Sequence, residues 1–244
     1  MNDEIPFEII HEGIIESTIP FSNKIIDDGK QENFLMNCDE QTCGRGSGNR
    51  KWASQKGNAL TTLNIKEKYM PKETLKLTPF LIANSVCEHL NKISRDKFVI
   101  KWPNDILCID QNKVCGILVD KYKDFYQLSF GINLSQCPDS SQIRKGGRTA
   151  CKLGNHSDTI PEPLEFSILL CKDICSKLKT YDCKKIIEDW KKNAIFDIKV
   201  TKRNDESGKL YKPLDIDFDG KLKVVDDDGK EEILDPQFPF VTKI

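Results

Sequence analysis

Four short apolar stretches follow one another closely in the middle of the chain, and they constrain the fold more than any other feature. They cover residues 98–102, 106–109, 114–119 and 126–132. The connections between them are too short to hold the crossover helix that joins two parallel strands. Asp110-Gln111-Asn112 supplies turn residues between the second and third stretches. The pattern therefore predicts an antiparallel meander rather than a series of βαβ units.

Helical patterns lie on both sides of this meander. Residues 71–93 carry apolar side chains at helical spacing, and Pro79 within them is expected to kink or split the helix. Residues 162–181 and 183–192 predict two further helices, and 20–28 a shorter one after a strand over 7–15. We expect these helices to cover the predicted sheet.

The composition changes near residue 194. Apolar and polar residues alternate from there on, and Asp219-Gly220 and Asp228-Gly229 are dipeptides that suit two-residue hairpin turns. The sequence therefore predicts two domains: a larger one over residues 1–193 and a small all-β barrel over 194–244.

The charge balance and the apolar runs exclude several classes of protein. The chain of 244 residues has 37 Lys and Arg against 38 Asp and Glu, a net charge of -1. Such a chain has no overall positive field for nucleic acid. It also has no apolar run near the ~20 residues that cross a bilayer, and its first ten residues do not resemble a secretion signal. We expect a cytoplasmic protein without a nucleic-acid or membrane partner.

The ten cysteines are scattered through predicted helices and strands, which favours reduced thiols over a disulfide framework. No C-x-x-C pair occurs, and the three histidines (His11, His89 and His156) stand far apart in the sequence. This spacing predicts no zinc site formed by the protein alone.

Residues 41–52 form the most unusual segment. Gly44, Gly46 and Gly48 alternate with small or basic residues, among them Arg45 and Arg50. No strand or helix period is present, so we predict a loop. Glycines let backbone N–H groups approach one anion, and the arginines add positive charge, which suits a phosphate or adenylate. A surface loop with incidental charge remains the alternative, because the segment is neither a Walker A nor a Rossmann motif.

A second segment, Lys101-Trp102-Pro103-Asn104-Asp105, lies between two predicted strands. It places an ammonium group at a sheet edge, beside a carboxamide and a carboxylate. Taken alone, the lysine and aspartate could form an ordinary salt bridge.

Together the two segments resemble the biotin-protein ligases, the family of biotin–[acetyl-CoA-carboxylase] ligases and holocarboxylase synthetases. Gly116-Ile117-Leu118-Val119 and Gly131-Ile132-Asn133 follow in the family's order, and the resemblance covers nearly the whole chain. It implies an α+β fold: a mixed sheet with flanking helices, like that of class II aminoacyl-tRNA synthetases and biotin synthetases, followed by an SH3-like barrel. Because the catalytic type of sequence begins within the first twenty residues, no N-terminal DNA-binding domain is expected.

The resemblance also implies a two-step reaction. Biotin and MgATP give biotinyl-5′-AMP, and biotin then passes to a lysine of a biotin carboxyl carrier domain, such as that of acetyl-CoA carboxylase. The enzyme is expected to be a monomer or a homodimer. Two alternatives remain open: a lipoate or octanoate ligase or transferase of the same fold, and a non-catalytic biotin sensor.

The same resemblance assigns roles to residues. Lys101 and Arg45 are the expected catalytic residues. The expected biotin-binding residues are Ser17, Thr18, Gln41, Gly44, Arg45, Gly46, Ser47, Lys101 and Gly116. The expected ATP-binding residues are Arg50, Lys51, Trp52, Asn104, Asp105 and Asn133. No metal site of the protein's own is expected, since Mg²⁺ arrives with ATP, with Asp105 as a candidate contact.

Overall fold

A computed structural model describes residues 5–46, 50–143, 147–200 and 209–236, and its centre is a mixed sheet of seven strands. These strands are β1 (Glu8–Ile15), β2 (Phe34–Gln41), β5 (Ala59–Lys66), β6 (Val99–Lys101), β7 (Asp105–Leu107), β8 (Lys113–Tyr122) and β9 (Phe125–Ile132). Their order in the sheet is β1-β2-β5-β9-β8-β7-β6. Only the β1–β2 pair of this sheet is parallel, so the predicted meander from β6 to β9 is confirmed.

Helices cover both faces of this sheet. On one face, Ile26 of α1 (Thr18–Asp27) packs in a cluster with Phe34 and Met36 of β2. On the other, Leu35 of β2 packs against α2 (Thr78–Ile93), α3 (Pro163–Thr180) and α4 (Cys183–Asn193). Because successive residues of a strand point to opposite faces, β2 is apolar on both sides. None of the four helices described is both long enough and apolar enough to span a membrane.

The central strand β5 is absent from the sequence-based prediction. It is buried along its whole length, including its polar residues. Thr62 and Asn64 point to the α1 face, where they bond to Thr18 and Ser22 at 2.8 and 3.1 Å. Thr61 points to the other face, where it bonds to Ser167 of α3 at 2.9 Å. Since both faces are covered and both carry polar side chains, the strand has neither an apolar run nor an alternating pattern.

Two other predictions need correction. The helix predicted over 71–93 begins only at Thr78, after a 3₁₀ turn at Leu75–Leu77, and Pro79 lies in its first turn, where proline's missing N–H is tolerated. The glycine-rich segment is not entirely a loop: β3 (Gly44–Arg45) and β4 (Lys51–Trp52) pair as a short antiparallel hairpin, and Gly46 N donates to Arg50 O at 2.7 Å.

The C-terminal residues form a three-stranded antiparallel sheet: β10 (Tyr211–Ile216), β11 (Leu222–Asp226) and β12 (Glu231–Leu234). Turns lie at both predicted dipeptides, with φ of +81° at Gly220 and +80° at Gly229, but the loops 217–221 and 227–230 are longer than the predicted two-residue turns. With the bridge from Val200 to Tyr211, these strands do not close a barrel within the part of the chain that is described.

This small sheet packs on the main body through the turn at Gly220. The Trp102 indole N–H donates to Gly220 O at 3.0 Å, and Ile216 joins the core formed by α2 and the large sheet. A Cβ atom on Gly220 would lie 2.8 Å from a ring carbon of Phe80. The turn is therefore a tight junction between the two sheets.

Comparison of Gly220→Ala with Gly229→Ala measures how much the close packing at this junction matters, separately from the backbone strain that alanine causes in either turn. Both glycines have the same left-handed backbone, but nothing lies within 4 Å of a Cβ at Gly229. We expect Gly220→Ala to lose about 1–3 kcal/mol more free energy of unfolding than Gly229→Ala, because only the former is overpacked. Urea denaturation measures both values, and equal losses would contradict the close packing at Phe80.

Candidate active site

A row of paired residues crosses four strands of the large sheet and forms the floor of the candidate site. Lys101 of β6 pairs with Asp105 of β7, Asp105 with Gly116 of β8, and Gly116 with Gly131 of β9. The row continues to Leu60 on β5. Residues opposite each other in a sheet point to the same face, so the row has charged side chains at one end and no side chains in the middle.

Trp52 covers the two glycines of this row. A Cβ on Gly131 would be 2.6 Å from the indole nitrogen of Trp52, and one on Gly116 would be 3.0 Å from its Cζ3. The ring therefore lies directly on the bare backbone, held there by the hairpin through the pairing of Trp52 with Gly44. Its Nε1 is buried without a hydrogen-bond partner among the described residues, so a polar donor faces this surface.

A chain of polar side chains lies at the β2–β5 end of the site. Ser129 bonds to Thr62 at 2.9 Å, Thr62 Oγ1 donates to Thr18 Oγ1 at 2.8 Å, and Thr18 donates through its backbone N–H to Gln41 Oε1 at 2.9 Å. The parallel pairing of Ile15 with Gln41 brings the ends of β1 and β2 together, which places Gln41 beside the start of α1.

Ser17 lies at the same place and has an unpaired oxygen. It is the N-cap residue of α1, the position where a serine side chain ordinarily bonds to the helix backbone. Here it makes no capping bond, and its buried Oγ has no partner in the described chain. A buried hydroxyl of this kind costs stability unless something else bonds to it, which favours a ligand at this position.

Cations gather at the opposite end, around Lys101. Burial lowers the pKa of the Lys101 ammonium, and the cations Arg148, Lys113 and Arg50 lower it further, while Asp105 opposes them. Burial alone would raise the pKa of Asp105, but Lys113 and Lys101 hold it below its ordinary value. One carboxylate thus stands among four cations, which is an arrangement that attracts anions.

Lys113 is a site residue that the sequence analysis missed. Its Nζ is 2.5 Å from Asp105 Oδ1 and 5.5 Å from the centre of the Trp52 ring. Arg148 was missed as well, and its guanidinium also donates to Gln111 O at 2.8 Å. Lys113 directly precedes the predicted strand over 114–119, and Arg148 lies between the predicted meander and the helix predicted over 162–181. Neither belongs to a motif, and only the fold brings them near Lys101.

The structure separates the predicted loop residues into two groups. Gly44 and Trp52 lie against the site, and Arg50 contributes to the charge around Lys101. Arg45 and Lys51 pair with each other on the hairpin and are exposed, and no contact described joins either of them to Lys101. Gly46 belongs to the turn of the hairpin, whereas Ser47 lies outside the described residues.

Two predicted ATP contacts have structural roles of their own. Asn104 Nδ2 donates to Ile117 O at 2.6 Å, which fixes the turn between β6 and β7 over β8. Asn133 Nδ2 donates to Cys151 O at 3.0 Å, and its Oδ1 is buried without a partner among the residues described. The free oxygen of Asn133 is therefore available to a ligand, while its nitrogen holds the 151–153 segment.

Asp105 does not fit a Mg²⁺ site. A magnesium site ordinarily gathers carboxylates and waters around the ion, whereas Asp105 is already ion-paired with Lys113 and lies beside Lys101. Its role in this geometry is to hold two ammonium groups near the glycine floor.

Replacing Lys113 should raise the pKa of Lys101. Lys113→Met removes a repelling cation and frees Asp105 to pair with Lys101, and both changes favour the charged ammonium. NMR titration of side-chain-labelled lysine should give a Lys101 pKa below 10.5 in the parent protein and a higher value in the variant. Lys121→Met, at an exposed lysine of β8 paired with Glu67, is the control. An unchanged Lys101 pKa in Lys113→Met would contradict the coupling.

Comparison with known sequences identifies related proteins. Residues 14–135 match the Biotin/lipoate A/B protein ligase family. The bifunctional ligase/repressor BirA of Bacillus spizizenii is 30% identical over 136 residues, which are 54% of this chain and 42% of that protein. The biotin–[acetyl-CoA-carboxylase] ligase of Paracoccus denitrificans is 27% identical over 161 residues, 62% of this chain and 66% of that one. The matched part thus spans about half the length of these curated relatives.

Solved structures share the fold across nearly the whole chain. The biotin protein ligase of Aquifex aeolicus in complex with biotin and ATP has a TM-score of 0.73 at 23% identity, covering 92% of this chain and 95% of that one. The biotin protein ligase of Leishmania major in complex with biotinyl-5-AMP has a TM-score of 0.70 at 21% identity, covering 94% and 99%. The matched family model spans the floor, the hairpin and the polar chain of the candidate site, and this chain belongs to the Biotin/lipoate A/B protein ligase family.

Proposed function

We propose that this protein is a biotin-protein ligase. It condenses biotin with ATP to biotinyl-5′-AMP and pyrophosphate, and then transfers biotin to a lysine of a biotin carboxyl carrier domain with release of AMP. One observation carries the proposal: a glycine floor lies between a cation cluster and a set of buried polar groups, one of them unpaired. The related proteins named as biotin ligases support it.

The distance across the floor suits an elongated substrate. From Leu60 to Asp105 the row crosses three strand spacings, roughly 14 Å at about 4.8 Å each. Biotin has a polar ureido head at one end and a carboxylate at the other, joined by an apolar chain. The head meets Ser17, Thr18 and Gln41, and the carboxylate reaches Lys101. The chain runs over Gly131 and Gly116 after the Trp52 indole, which covers these two glycines in this structure, has moved aside.

The first step brings two anions together, the biotin carboxylate and the α-phosphate of ATP, and the cation cluster can offset their repulsion. A carboxylate oxygen forms a bond to the α-phosphorus while the bond to the pyrophosphate oxygen breaks, so negative charges must approach each other. Lys101, Lys113, Arg148 and Arg50 offset this repulsion at the end of the row. Mg²⁺ travels with ATP and neutralises its phosphates; we assign it no ligand in this chain.

The remaining roles follow the family's pattern. Arg45, Gly46 and Ser47 bind biotin, and Lys51, Trp52, Asn104 and Asn133 bind the nucleotide. Residues 1–193 form the catalytic domain and residues 194–244 a C-terminal domain. The partner is the carrier domain of a biotin-dependent carboxylase. All ten cysteines are free thiols, which supports the cytoplasm as the compartment.

The decisive assay incubates the protein with biotin, MgATP and an isolated carrier domain, and reads the mass of the carrier. We expect the mass to rise by one biotinyl group only when both biotin and ATP are present. Lipoate and octanoate in place of biotin form the second arm. Modification by either of these, with none by biotin, would overturn the proposal in favour of a lipoyl ligase, and biotin binding without any modification would indicate a sensor.

Lys101→Ala tests the chemical step. Loss of a buried donor at the developing charge should lower the rate of biotin-dependent pyrophosphate exchange by about 10²–10³. Circular dichroism should remain that of the parent, because the one side-chain hydrogen bond described for Lys101 is weak, to Trp102 O at 3.4 Å. Lys121→Ala is the control at an exposed lysine. Near-normal exchange by Lys101→Ala would remove this residue from the mechanism.

Ser17→Ala tests the head-group end. The Ser17 hydroxyl bonds to nothing in the described protein, so its removal should not lower the free energy of unfolding, yet it should weaken biotin binding about tenfold. Ser22→Ala is the matched control, because Ser22 is equally buried in the same helix but accepts a bond from Asn64. It should lose about 1 kcal/mol of stability with unchanged affinity. Calorimetry and urea denaturation measure both quantities; unchanged biotin affinity in Ser17→Ala would exclude the contact.

A further inference from the structure

Two cysteines and a histidine that are distant in the sequence meet behind the candidate active site. Cys108, Cys151 and His156 are all buried, and each offers one ligand atom within 4.8 Å of those of the other two. Cys108 follows β7, whereas Cys151 and His156 come from the segment that precedes α3. The spacing of these residues in the sequence predicts no zinc site, because the cluster is formed only by the fold.

The histidine has a carboxylate partner of the kind that zinc-binding histidines have. His156 Nδ1 is 2.8 Å from Asp96 Oδ2, which leaves Nε2 as the nitrogen free to bind an ion. Histidines that bind zinc commonly have such a carboxylate on their other nitrogen, because it fixes the tautomer and makes the ring more basic. Asp96 is 47% exposed in its side chain, so the site has a route to solvent.

The backbone around the two thiols is held in place. Cys108 N donates to Asn112 O at 2.9 Å, and Cys151 N donates to Lys113 O at 2.9 Å. With Zn–S of about 2.3 Å and Zn–N of about 2.0 Å, ligand atoms on one tetrahedral ion lie roughly 3.5–3.8 Å apart. Since the ligand atoms lie within 4.8 Å of one another, the cluster needs to contract by about 1.3 Å at most, which side-chain rotation can supply.

We propose that Cys108, Cys151 and His156 bind one Zn²⁺ ion, with Asp96 positioning the imidazole. Two thiolates balance the charge of the ion, and soft sulfur with imidazole nitrogen is the ligand set that zinc prefers. Each thiol loses its proton to solvent when the ion binds. A water or Cys137, which lies close enough to Cys151 to interact electrostatically, completes the tetrahedron.

The ion would stabilise the backbone segments that carry the cation cluster, from the opposite face of the sheet. Cys108 is three residues beyond Asp105, and Cys151 is bonded to Lys113, the partner of Asp105. Zinc would thus join the two strands that carry this ion pair to the segment that carries Arg148. The site is structural and does not contact the proposed substrates.

The experiment uses the full chain, purified under reducing conditions, stripped with a chelator and titrated with Zn²⁺ or Co²⁺ alone. We expect one ion per chain and, with Co²⁺, the strong visible bands of a tetrahedral site together with thiolate-to-cobalt charge transfer. Less than stoichiometric binding, an octahedral cobalt spectrum, or a Cys108–Cys151 disulfide that survives in the reduced protein would overturn the proposal.

Variants assign the ligands. Cys108→Ser, Cys151→Ser and His156→Gln should abolish the cobalt spectrum, and Cys38→Ser should retain it, since Cys38 is as buried as Cys108 but lies in the cluster under α1. Should a ligand variant fail to fold, Asp96→Asn at a partly exposed position provides the test: it should weaken Zn²⁺ binding about 10–100-fold. Full affinity in Asp96→Asn, or an unchanged spectrum in Cys151→Ser, would contradict the assignment.

Discussion

The pairing register of β6, β7, β8 and β9 is the constraint on which the candidate site depends. It places Lys101, Asp105, Gly116 and Gly131 in one row on one face of the sheet. A slip of one residue in any pair would turn that strand's side chains to the opposite face. The apolar core fixes the register, because Ile106, Cys115 and Ile132, which are next to these residues in sequence, point into the main core on the other side. Packing on one face thus sets the chemistry on the other.

The two ends of the row contain groups that the protein leaves incompletely satisfied. Burial works against the charge on Lys101, and further cations increase that cost. At the other end Ser17 has an unpaired hydroxyl. A ligand with an anionic group at one end and a polar group at the other would offset both the buried charge of Lys101 and the unpaired hydroxyl of Ser17. Biotin, after which the family is named, has such a structure. The large core under α2, α3 and α4 supplies the stability that allows them.

Sequence reasoning found the parts of this molecule that depend on local pattern. The meander, the two helices before residue 194 and the turns at Gly220 and Gly229 follow from periodicity and turn chemistry. It failed at β5, whose polar residues are buried under helices on both faces, and at the start of α2, where Pro79 begins a helix rather than bending one.

For the candidate site, the motifs predict Lys101 and Gly116, which the structure places in one row, but they do not predict the residues around them. Lys113, Arg148 and the Cys108–Cys151–His156 cluster are brought together only by long-range contacts. Local patterns in a single sequence do not predict such long-range contacts, because each residue taken alone resembles an ordinary surface lysine or arginine, or a buried thiol. The fold itself has to be known before these residues can be recognised.

The hydrogen bond from Trp102 to Gly220 has a consequence for how the site responds to the rest of the molecule. Trp102 is the residue next to Lys101, so the backbone that carries the ammonium is tied to a turn more than a hundred positions later in the chain. A tilt of the C-terminal sheet at this turn would therefore act directly on the backbone beside Lys101. The small sheet and the charged end of the glycine floor are thus mechanically coupled through one side-chain hydrogen bond.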